Sequence, residues 1–295
     1  MENWKKIVTM ALKEDKADQD ITSKFLIPAS LKVWAEIIAM QNGVFCGAEI
    51  VRIVFSGHQF KIKEILSDGS SVKKNQLIAQ IYGPAREILS RERTLLNLIQ
   101  RLSGISSLTA KFVRAVRPYP VKIYDTRKTT PGLRNMEKYA VRCGGGYNHR
   151  LNLSDMVLIK DNHLALLKNI DKQTINKFPK KIRVELETES FPQVKQALTL
   201  GVDIIMLDNF PLSVMDKAIR LIKKQRGDNE YPQIEVSGGL NLENIPSVAR
   251  LQPDRISIGV LTHSAPALDI SLEIQQRVPP FERGIKGDFK IKNNV

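Results

Sequence analysis

The feature that most constrains this chain is a regular alternation of short apolar runs and helix-like segments over residues 121–259. Strands that alternate with helices form βα units, and such units assemble into a parallel sheet. The runs stay apolar until their last residue or two, which is typical of strands buried on both faces. The pattern therefore predicts either an α/β barrel or a doubly wound sheet. The six predicted strands are 121–126, 156–161, 182–187, 203–208, 233–239 and 255–259.

Each of these six runs ends in charged residues or glycine, whereas the amino-terminal ends carry no such set. The carboxyl ends of parallel strands meet on one face of a barrel, or in one crevice of an open sheet, and ligands bind there. We therefore expect the functional residues at these ends. In chain order they are Asp125 to Lys128, Lys160 with Asp161, Glu185 with Glu187, Asp208 with Asn209, Ser237 to Gly239, and Gly259.

The first 115 or so residues follow a different pattern, in which strand-like runs precede one long helical period. Two of the runs alternate apolar and polar residues, which indicates an antiparallel sheet with one covered face. This part is therefore predicted to be a separate α+β unit. Its predicted elements are a helix over 3–13, a polar loop over 14–26, strands over 32–40, 60–66 and 76–83, and a helix over 85–117 that is broken near Ser103 and Gly104.

The formal net charge of +14 is compatible with nucleic acid, an anionic membrane surface or a small polyanionic substrate as the partner. Because the basic residues are spread along the chain and aromatic residues make up only 6%, the pattern does not favour nucleic acid. The apolar runs are strand-sized and the N-terminus lacks a secretory pattern, so we expect no membrane segment. Cys46 and Cys143 fit no metal-binding spacing, which predicts reduced thiols and a cytoplasmic location.

Basic side chains concentrate around the first two predicted strand ends. The segment "DTRKTTPGLR" (125–134) directly follows an apolar run, "CGGGYNHR" (143–150) brings His149 and Arg150, and Lys160 ends the next run. So many fixed cations indicate an anionic substrate, and arginine favours carboxylates because it binds them bidentately. Lys160 could instead form a Schiff base, as in barrel aldolases, although such a lysine is usually desolvated and not surrounded by cations.

Two further features of the strand ends suit a phosphorylated sugar. "VSGG" (236–239) followed by a helix, with Gly259 one βα unit later, is typical of the phosphate site of barrels. Glu187 and Asp208 end neighbouring runs, and such paired carboxylates suit a Mg²⁺-bound diphosphate, a ribose diol or a developing cation. Since Glu185 and Glu187 project to the same side of their strand, only one of the two need be functional.

The motifs "DTRKTTPGLR", "GGGYNHR", "IKDNH", "LDNF", "SGGL" and "GVLTHS", in this order and spacing, closely resemble the quinolinate phosphoribosyltransferase family. The resemblance extends to "ALKEDKADQDIT" and "RERTLLNLIQRLSGI" and covers the chain to about residue 274. It implies an enzyme of de novo NAD biosynthesis that uses Mg²⁺ to convert quinolinate and phosphoribosyl pyrophosphate into nicotinate mononucleotide, pyrophosphate and CO₂.

The resemblance also implies an architecture. It consists of an N-terminal α/β sandwich domain (1–115, completed by residues 270–295) and an incomplete, TIM-like α/β barrel that forms the catalytic domain (116–270), assembled as a homodimer or higher homo-oligomer. One departure is Gln19, where the family typically has a glycine; it bears on the local turn and not on the activity. The tail 281–295 carries no functional signal.

The resemblance assigns roles to particular residues of this chain. Lys128, Lys160, Glu187 and Asp208 are expected to be catalytic, with Lys128 and Lys160 as alternatives for assisting decarboxylation. Glu187 and Asp208 are expected to face the ribose and the metal, and Arg93 is expected to reach the neighbouring active site across the dimer interface. The expected substrate-binding residues are Arg93, Thr126, Arg127, Lys128, His149, Arg150, Lys160, Glu187, Asp208, Ser237, Gly238 and Gly259.

Three alternatives remain open from the sequence. The first is a molybdenum-transport-associated relative of the same fold that acts on another anion; the retained Lys160 of "IKDNH" favours the transferase over it. The others are a Schiff-base aldolase and a basic nucleic-acid-binding protein. Neither of these two explains why the polar residues lie at the strand ends.

Overall fold

The computed structural model describes residues 2–167 and 170–275. The first part of the chain forms a four-stranded antiparallel sheet and a separate two-stranded one. Its elements are α1 (Glu2–Glu14), a 3-10 turn (Ala17–Gln19), α2 (Ile21–Leu26), β1 (Lys32–Ala39), β2 (Gly43–Val44), α3 (Ala48–Val54), β3 (Lys61–Ile65), β4 (Ser71–Val72), β5 (Gln76–Pro84) and α4 (Ala85–Val116).

The remainder of the described chain alternates strands and helices. Its elements are β6 (Lys122–Tyr124), α5 (Arg134–Cys143), β7 (Val157–Ile159), α6 (Asp161–Leu166), α7 (Lys172–Asn176), β8 (Val184–Thr188), α8 (Phe191–Leu200), β9 (Ile204–Asp208), α9 (Leu212–Arg226), β10 (Gln233–Ser237), α10 (Ile245–Arg250), β11 (Arg255–Ser257), α11 (Val260–His263) and β12 (Ile270–Gln275).

The four-stranded sheet has the order β12-β1-β5-β3 and one buried face. Along β1 the side chains of Ala35, Ile37 and Ala39 are buried at every second position, as the pleat of a strand requires. Because β12 pairs antiparallel with β1, residues 270–275 return to the sheet of the N-terminal part. Residues 276–295, which include the rest of the predicted C-terminal contribution and the tail 281–295, lie outside the described residues.

Helix α4 is continuous from Ala85 to Val116, so the predicted break near Ser103 and Gly104 is wrong. Gly104 is instead a point of close contact, because a Cβ atom there would lie 2.0 Å from the carbonyl oxygen of Pro266. The glycine therefore lets a loop approach the helix and does not interrupt it. Ser103 is also buried within the helix, where its hydroxyl bonds to the backbone of Cys46.

The predicted polar loop over 14–26 is also wrong in part, because it contains the 3-10 turn and helix α2. The side chain of Asp20 accepts a hydrogen bond from the backbone nitrogen of Ser23 at 3.1 Å. An aspartate at this position caps the first turn of a helix. The cap explains why a short polar segment is helical here.

The second sheet is parallel, with six strands in the order β6-β11-β10-β9-β8-β7. This order confirms the predicted βα units, and some of the helices between strands carry clear start and stop signals. Helix α8, for example, starts with a capping box between Ser190 and Gln193 and ends at Gly201, which has a left-handed φ of 76°.

The six-stranded sheet is rolled into an incomplete barrel, as expected. Strands β6 and β7 are its two edges, and Tyr147 makes an isolated parallel bridge to Tyr124 beyond β6. His149, two residues after that bridge, contacts Glu235 of β10 and Glu185 of β8. A side chain beside the edge strand β6 can contact strands two and four positions further along the sheet only if the sheet curves around a common interior.

Candidate active site

A cavity of about 290 Å³ opens at the carboxyl ends of the parallel strands. This is the face of a βα barrel on which ligands bind. The cavity gathers residues from loops that are far apart in the sequence. Its lining consists of Thr126, Arg127, Lys128, His149, Arg150, Leu158, Lys160, Glu187, Met206, Asp208, Glu235, Ser237 and Ser257.

The structure brings together nine of the twelve predicted substrate-binding residues. Arg93 is exposed on α4, and Gly238 and Gly259 do not line the cavity: Gly259 packs against the lining residue Lys128, and Gly238 packs against Asn209 beside Asp208. All four predicted catalytic residues line it. The nine are Thr126, Arg127, Lys128, His149, Arg150, Lys160, Glu187, Asp208 and Ser237.

Four lining residues were not singled out from the sequence: Leu158, Met206, Glu235 and Ser257. All four could have been found from the two-residue period of a strand, since Ser257 likewise precedes Gly259 by two residues and the period returns each residue to the same face. Met206 precedes Asp208 by two residues, Glu235 precedes Ser237, and Leu158 precedes Lys160. They form the wall immediately beneath the strand-end residues.

The loop that follows β6 carries Thr126, Arg127 and Lys128. The backbone nitrogen of Lys128 donates to the Thr126 hydroxyl at 3.1 Å, and the carbonyl of Lys128 accepts from the Thr262 hydroxyl at 2.7 Å. The aliphatic stem of Lys128 also passes over Gly259, where a Cβ atom would lie 3.1 Å from its Cδ. The loop is therefore fixed by contacts to α11.

The arginines of the cavity lie close to each other. The Nε atom of Arg127 is buried and has no hydrogen-bond partner among the described residues. Arg150 donates from Nη1 to the carbonyl of Met156 at 3.0 Å. Burial and the neighbouring charge of Arg127 lower the pKa of Arg150, as expected where positive groups converge. Such a concentration of positive charge favours an anionic ligand.

His149 points into the barrel interior, below the cavity. Its Nε2 atom lies 3.0 Å from Oε2 of Glu185 and 3.4 Å from Oε1 of Glu235, and Arg255 Nε lies 2.8 Å from the other oxygen of Glu235. Its Nδ1 atom accepts a hydrogen bond from the backbone nitrogen of Arg150 at 2.9 Å. His149 is thus held on both ring nitrogens and forms part of the cavity floor.

The charges of this buried group compensate one another. Burial lowers the pKa of His149, but the contacts with Glu185 and Glu235 outweigh burial and raise it to about 10. Burial and the charge of Glu235 raise the pKa of Glu185 to about 7. Burial opposes ionisation of Glu235, yet His149 and Arg255 hold its pKa below the usual range. In the neutral ring the Nδ1 lone pair accepts the Arg150 backbone N–H, so uptake of the second proton breaks that hydrogen bond, and the two facing carboxylates outweigh its loss.

His149, Glu185 and Glu235 also lie close enough together to chelate a metal ion. Arg255 already pairs with Glu235, and His149 can carry a second positive charge. The two carboxylates are therefore neutralised without a metal ion. We therefore assign no metal to this group. It is a different set from the predicted metal pair, Glu187 and Asp208.

Glu187 and Asp208 end the neighbouring strands β8 and β9 and line the same cavity. The carboxylate of Glu187 is paired with the ammonium of Lys160. Among the described residues no basic side chain lies within 4.0 Å of Asp208, whose Oδ2 accepts from the Asn209 amide at 2.8 Å. Hard oxygen donors of this kind suit Mg²⁺, and Asp208 is the carboxylate that is free of a cationic partner within that part of the chain.

The predicted phosphate segment forms a sharp turn after β10. Gly238 has a left-handed φ of 91°, and a Cβ atom there would lie 2.2 Å from Oδ1 of Asn209. The backbone of the "SGG" turn thus packs directly against the residue that bonds to Asp208. Glycine is required at position 238 both by its conformation and by this contact.

A larger groove of about 570 Å³ lies on the N-terminal part, between α1, α3 and α4. Its lining includes Lys5, Leu12, Asp18, Glu87 and Arg91. In this groove Arg91 is already paired with Glu87 at 2.6 Å. Among the described residues no strand end contributes to it, and we assign the ligand site to the smaller cavity.

Two family models match this chain over most of its length. The model described as "Quinolinate phosphoribosyl transferase, N-terminal domain" matches residues 20–103. The model described as "Quinolinate phosphoribosyl transferase, C-terminal domain" matches residues 105–273. Together they span both sheets and the cavity.

Individual proteins are similar over nearly their whole length. The chain is 41% identical over 275 residues to the probable nicotinate-nucleotide pyrophosphorylase [carboxylating] of Bacillus subtilis, covering 92% of this chain and 93% of that protein. It is 37% identical over 276 residues to the nicotinate-nucleotide pyrophosphorylase [carboxylating] of Mycobacterium leprae, covering 90% and 95% respectively.

Solved structures agree in fold. The nicotinate-nucleotide pyrophosphorylase of Ehrlichia chaffeensis superposes with a TM-score of 0.85 at 38% identity, covering 92% of this chain and 98% of that one. The Francisella tularensis protein of the same name gives a TM-score of 0.84 at 35% identity, covering 93% and 96%. With the motifs at the strand ends and both domains matched, this chain belongs to the quinolinate phosphoribosyltransferase family.

Proposed function

We propose that this protein transfers the phosphoribosyl group of phosphoribosyl pyrophosphate to quinolinate and releases pyrophosphate and CO₂. The product is nicotinate mononucleotide, which makes the protein a pentosyl glycosyltransferase of de novo NAD biosynthesis. The observation that carries the proposal is the cavity itself. Four cationic side chains, those of Arg127, Lys128, Arg150 and Lys160, share it with two strand-end carboxylates, those of Glu187 and Asp208.

The charge pattern suits both substrates. Quinolinate has two adjacent carboxylates, and arginine binds such groups through paired N–H donors. Arg127 and Arg150 are the arginines that line the cavity, with Thr126 as a hydroxyl donor beside them. On the opposite side, Ser237 with the turn at Gly238 and Gly259 would receive the 5′-phosphate of the sugar.

The reaction can be derived from these groups. When the bond to pyrophosphate breaks, positive charge develops at the ribosyl carbon, and the carboxylate of Glu187 stabilises that charge. The ring nitrogen of quinolinate then forms the new bond and becomes a pyridinium. The bond between C2 and its carboxylate breaks next, and CO₂ leaves. The electron pair stays on C2, beside the positive nitrogen, until C2 takes a proton. Lys128 and Lys160 are the two candidates for stabilising or protonating this carbanion.

Mg²⁺ is part of the proposal because a diphosphate leaving group carries charge that a divalent cation neutralises. Asp208 and Glu187 would hold it. Since Lys160 already pairs with Glu187, Asp208 is expected to be the stronger ligand. We predict that activity is lost with a chelator and restored by added Mg²⁺, and that Asp208→Asn raises the Mg²⁺ concentration needed for half-maximal rate.

The proposed assembly is a homodimer or a higher homo-oligomer in which Arg93 acts at the neighbouring active site. Arg93 is exposed on α4 and does not line the cavity of its own chain, which is the arrangement that such sharing needs. Helix α2 also exposes Ile21, Phe25 and Leu26 by 69%, 79% and 74%. An exposed apolar cluster of this kind favours a protein interface.

We place the protein in the cytoplasm, which is supported by two free cysteines, Cys46 and Cys143. Among the described helices, none combines the length and the apolar character needed to cross a bilayer.

The test is to incubate the protein with quinolinate, phosphoribosyl pyrophosphate and Mg²⁺ and to measure nicotinate mononucleotide and CO₂. We expect equal amounts of both products, none with nicotinate as substrate, and none from Arg127→Ala. Arg220→Ala, which alters an exposed ion pair on α9, is the matched control and should be fully active. A folded protein that gives no product with quinolinate would contradict the proposal and favour the molybdenum-transport-associated relative.

A further inference from the structure

Helix α5 carries two consecutive charged residues that are almost completely buried. Glu137 is 0% exposed and Lys138 is 1% exposed. Buried charges are strongly unfavourable unless each is paired and hydrogen-bonded, so their partners are fixed parts of the structure. Both sets of partners lie in or beside the loop that carries Arg127 and Lys128.

Lys138 holds the beginning of this loop. Its Nζ atom lies 2.5 Å from Oδ1 of Asp125 and donates to the carbonyl oxygen of His149 at 3.1 Å. The same carboxylate oxygen of Asp125 accepts from the backbone nitrogen of His149 at 2.9 Å. Asp125, which precedes Thr126, and His149, which precedes Arg150, are therefore joined to each other and to the Lys138 ammonium.

Glu137 holds the other end of the loop. Its Oε2 atom accepts from the backbone nitrogen of Thr130 at 3.1 Å. Its Oε1 atom accepts from Nε and Nη2 of Arg101, at 3.0 and 2.7 Å. Arg101 is thus the counterion of a buried carboxylate that faces the loop. It comes from α4, which belongs to the N-terminal part of the chain.

Arg101 also makes direct contacts to the segments on either side. Its Nη2 atom donates to the Thr130 hydroxyl at 3.2 Å and to the carbonyl of Thr262 at 2.5 Å. The hydroxyl of that same Thr262 donates to the carbonyl of Lys128 at 2.7 Å. One guanidinium therefore links Glu137, Thr130 and Thr262. Thr130 is itself part of the loop, and Thr262 is hydrogen-bonded to the loop at Lys128.

We propose that Arg101 is a positioning residue for this active site: acting through Glu137 and Thr262, it fixes the loop 125–130 so that Arg127 and Lys128 face the cavity. The proposal rests on the proposed function, in which that loop binds quinolinate. Arg101 does not line the cavity, and its Nε and Nη2 atoms donate to protein acceptors, so we assign it no direct contact with the substrate. A lysine does not fully replace it, because one ammonium cannot supply both the Nε donor to Glu137 and the Nη2 donor that Glu137 shares with Thr262.

The test compares Arg101→Lys with Arg226→Lys, which is a matched control. Arg226 is also a partly buried arginine, lies 2.7 Å from Asp254 and donates to the Pro232 carbonyl, but it lies at the opposite end of the strands. Three quantities are measured for each protein: the melting temperature, the Kd for quinolinate by calorimetry, and hydrogen–deuterium exchange of the segment 125–130.

We expect both variants to lose similar stability, but only Arg101→Lys to change the loop. Its Kd for quinolinate should rise about tenfold, which corresponds to the loss of one charge-assisted contact. Its KM for quinolinate should rise with it while kcat changes less. The Thr130 amide, which donates to Glu137, should exchange faster. In Arg226→Lys the Kd should stay within about twofold of the unmodified protein.

A folded Arg101→Lys variant with unchanged Kd and unchanged exchange would overturn the proposal. If this variant does not fold, Arg101→Gln, which keeps a donor without the charge, is measured in the same way. Failure of the unmodified protein to bind quinolinate would contradict the proposed function instead. In that case the exchange measurement still decides whether Arg101 holds the loop.

Discussion

The ammonium of Lys160 is paired with the carboxylate of Glu187 at the mouth of the cavity. Lys160 follows β7 and Glu187 lies near the end of β8, and these two strands are neighbours in the sheet. The Lys160 side chain is 43% exposed while that of Glu187 is only 7% exposed. A substrate carboxylate that binds Lys160 must therefore compete with a carboxylate that the protein itself supplies.

This pair leads to a prediction for Glu187→Gln. Removing the carboxylate frees Lys160, so quinolinate should bind more tightly, as a lower Kd in calorimetry. The developing ribosyl cation loses its stabilising charge at the same time, so kcat should fall by about a hundredfold or more. Glu189→Gln, on an exposed carboxylate two residues further along, is the control and should change neither quantity. Wild-type kcat in Glu187→Gln would show that this carboxylate does not act in the transition state.

The buried pair between Lys138 and Asp125 should be essential for stability. Lys138→Met leaves Asp125 as a buried charge without its partner, and we expect a loss of about 3–5 kcal/mol in the free energy of unfolding. The exposed pair between Arg220 and Asp216 should cost less than about 1 kcal/mol when Arg220 is changed to alanine. Urea unfolding of both variants measures the difference. Equal losses would mean that the Lys138 pair adds no more than a surface contact.

His149 should make stability depend on pH. Its pKa is raised from 6.5 to about 10 by Glu185 and Glu235, so the folded protein binds the proton more tightly than the unfolded chain. The stabilisation is therefore complete below pH 6.5 and is lost as the pH rises through about 10. The slope can reach about 1.4 kcal/mol per pH unit for one proton. Glu185, whose pKa is raised from 4.5 to about 7, adds a loss of the same sign between those two values, largely below the pH range in which His149 acts.

The measurement compares the unmodified protein with His149→Gln by urea unfolding at several pH values between 6.5 and 10. Their difference in free energy of unfolding should shrink as the pH rises, since the variant has no proton to lose at this position. An NMR titration of the imidazole gives the same pKa independently. A difference that does not change with pH would contradict the assignment of a raised pKa to His149.

Gly238→Ala should damage the sugar-phosphate side of the site and spare the quinolinate side. The new methyl group would meet Asn209 at 2.2 Å and so displace the residue that bonds to Asp208. We expect weaker binding of phosphoribosyl pyrophosphate with Mg²⁺ and an unchanged Kd for quinolinate, both measured by calorimetry. Gly227→Ala is the control, because Gly227 also has a left-handed φ, of 57°, but a methyl group there would meet nothing within 4 Å. Similar affinities in the two variants would show that the contact with Asn209 is unimportant.

The sequence predicted the parallel βα units correctly, because buried strands and amphipathic helices have different hydrophobic periods. It also predicted that Glu185 and Glu187 share a face, which the two-residue period of a strand dictates. The structure separates their roles: Glu185 faces His149 in the interior, while Glu187 faces Lys160 and the cavity. The position of each glutamate along the strand decides whether it faces the interior or the cavity. An alternation pattern gives only the face of the strand on which a residue lies.

Other features of the site could not be predicted because their partners are distant in the sequence. The glycine of "RLSG" was predicted to break a helix, whereas Gly104 accommodates the carbonyl of Pro266, 162 residues later in the chain. The sequence of α5 does not show that two of its charged residues are buried and paired, because lysine and glutamate occur throughout the chain. Arg101 likewise resembles any other arginine on a long helix until Glu137 is seen beside it.

By itself, the sequence determined the six parallel strands and their order along the chain, the set of charged residues at the strand ends and the family to which the chain belongs. Only the tertiary structure decided which charges remain available to a ligand. Glu137, Lys138 and Glu185 are buried and paired away from the cavity, while Arg127, Lys128 and Asp208 line it. The physical reason is that burying a charge is favourable only with a partner at hydrogen-bonding distance. Those partners come together only when the sheet curves and α4 packs against the barrel.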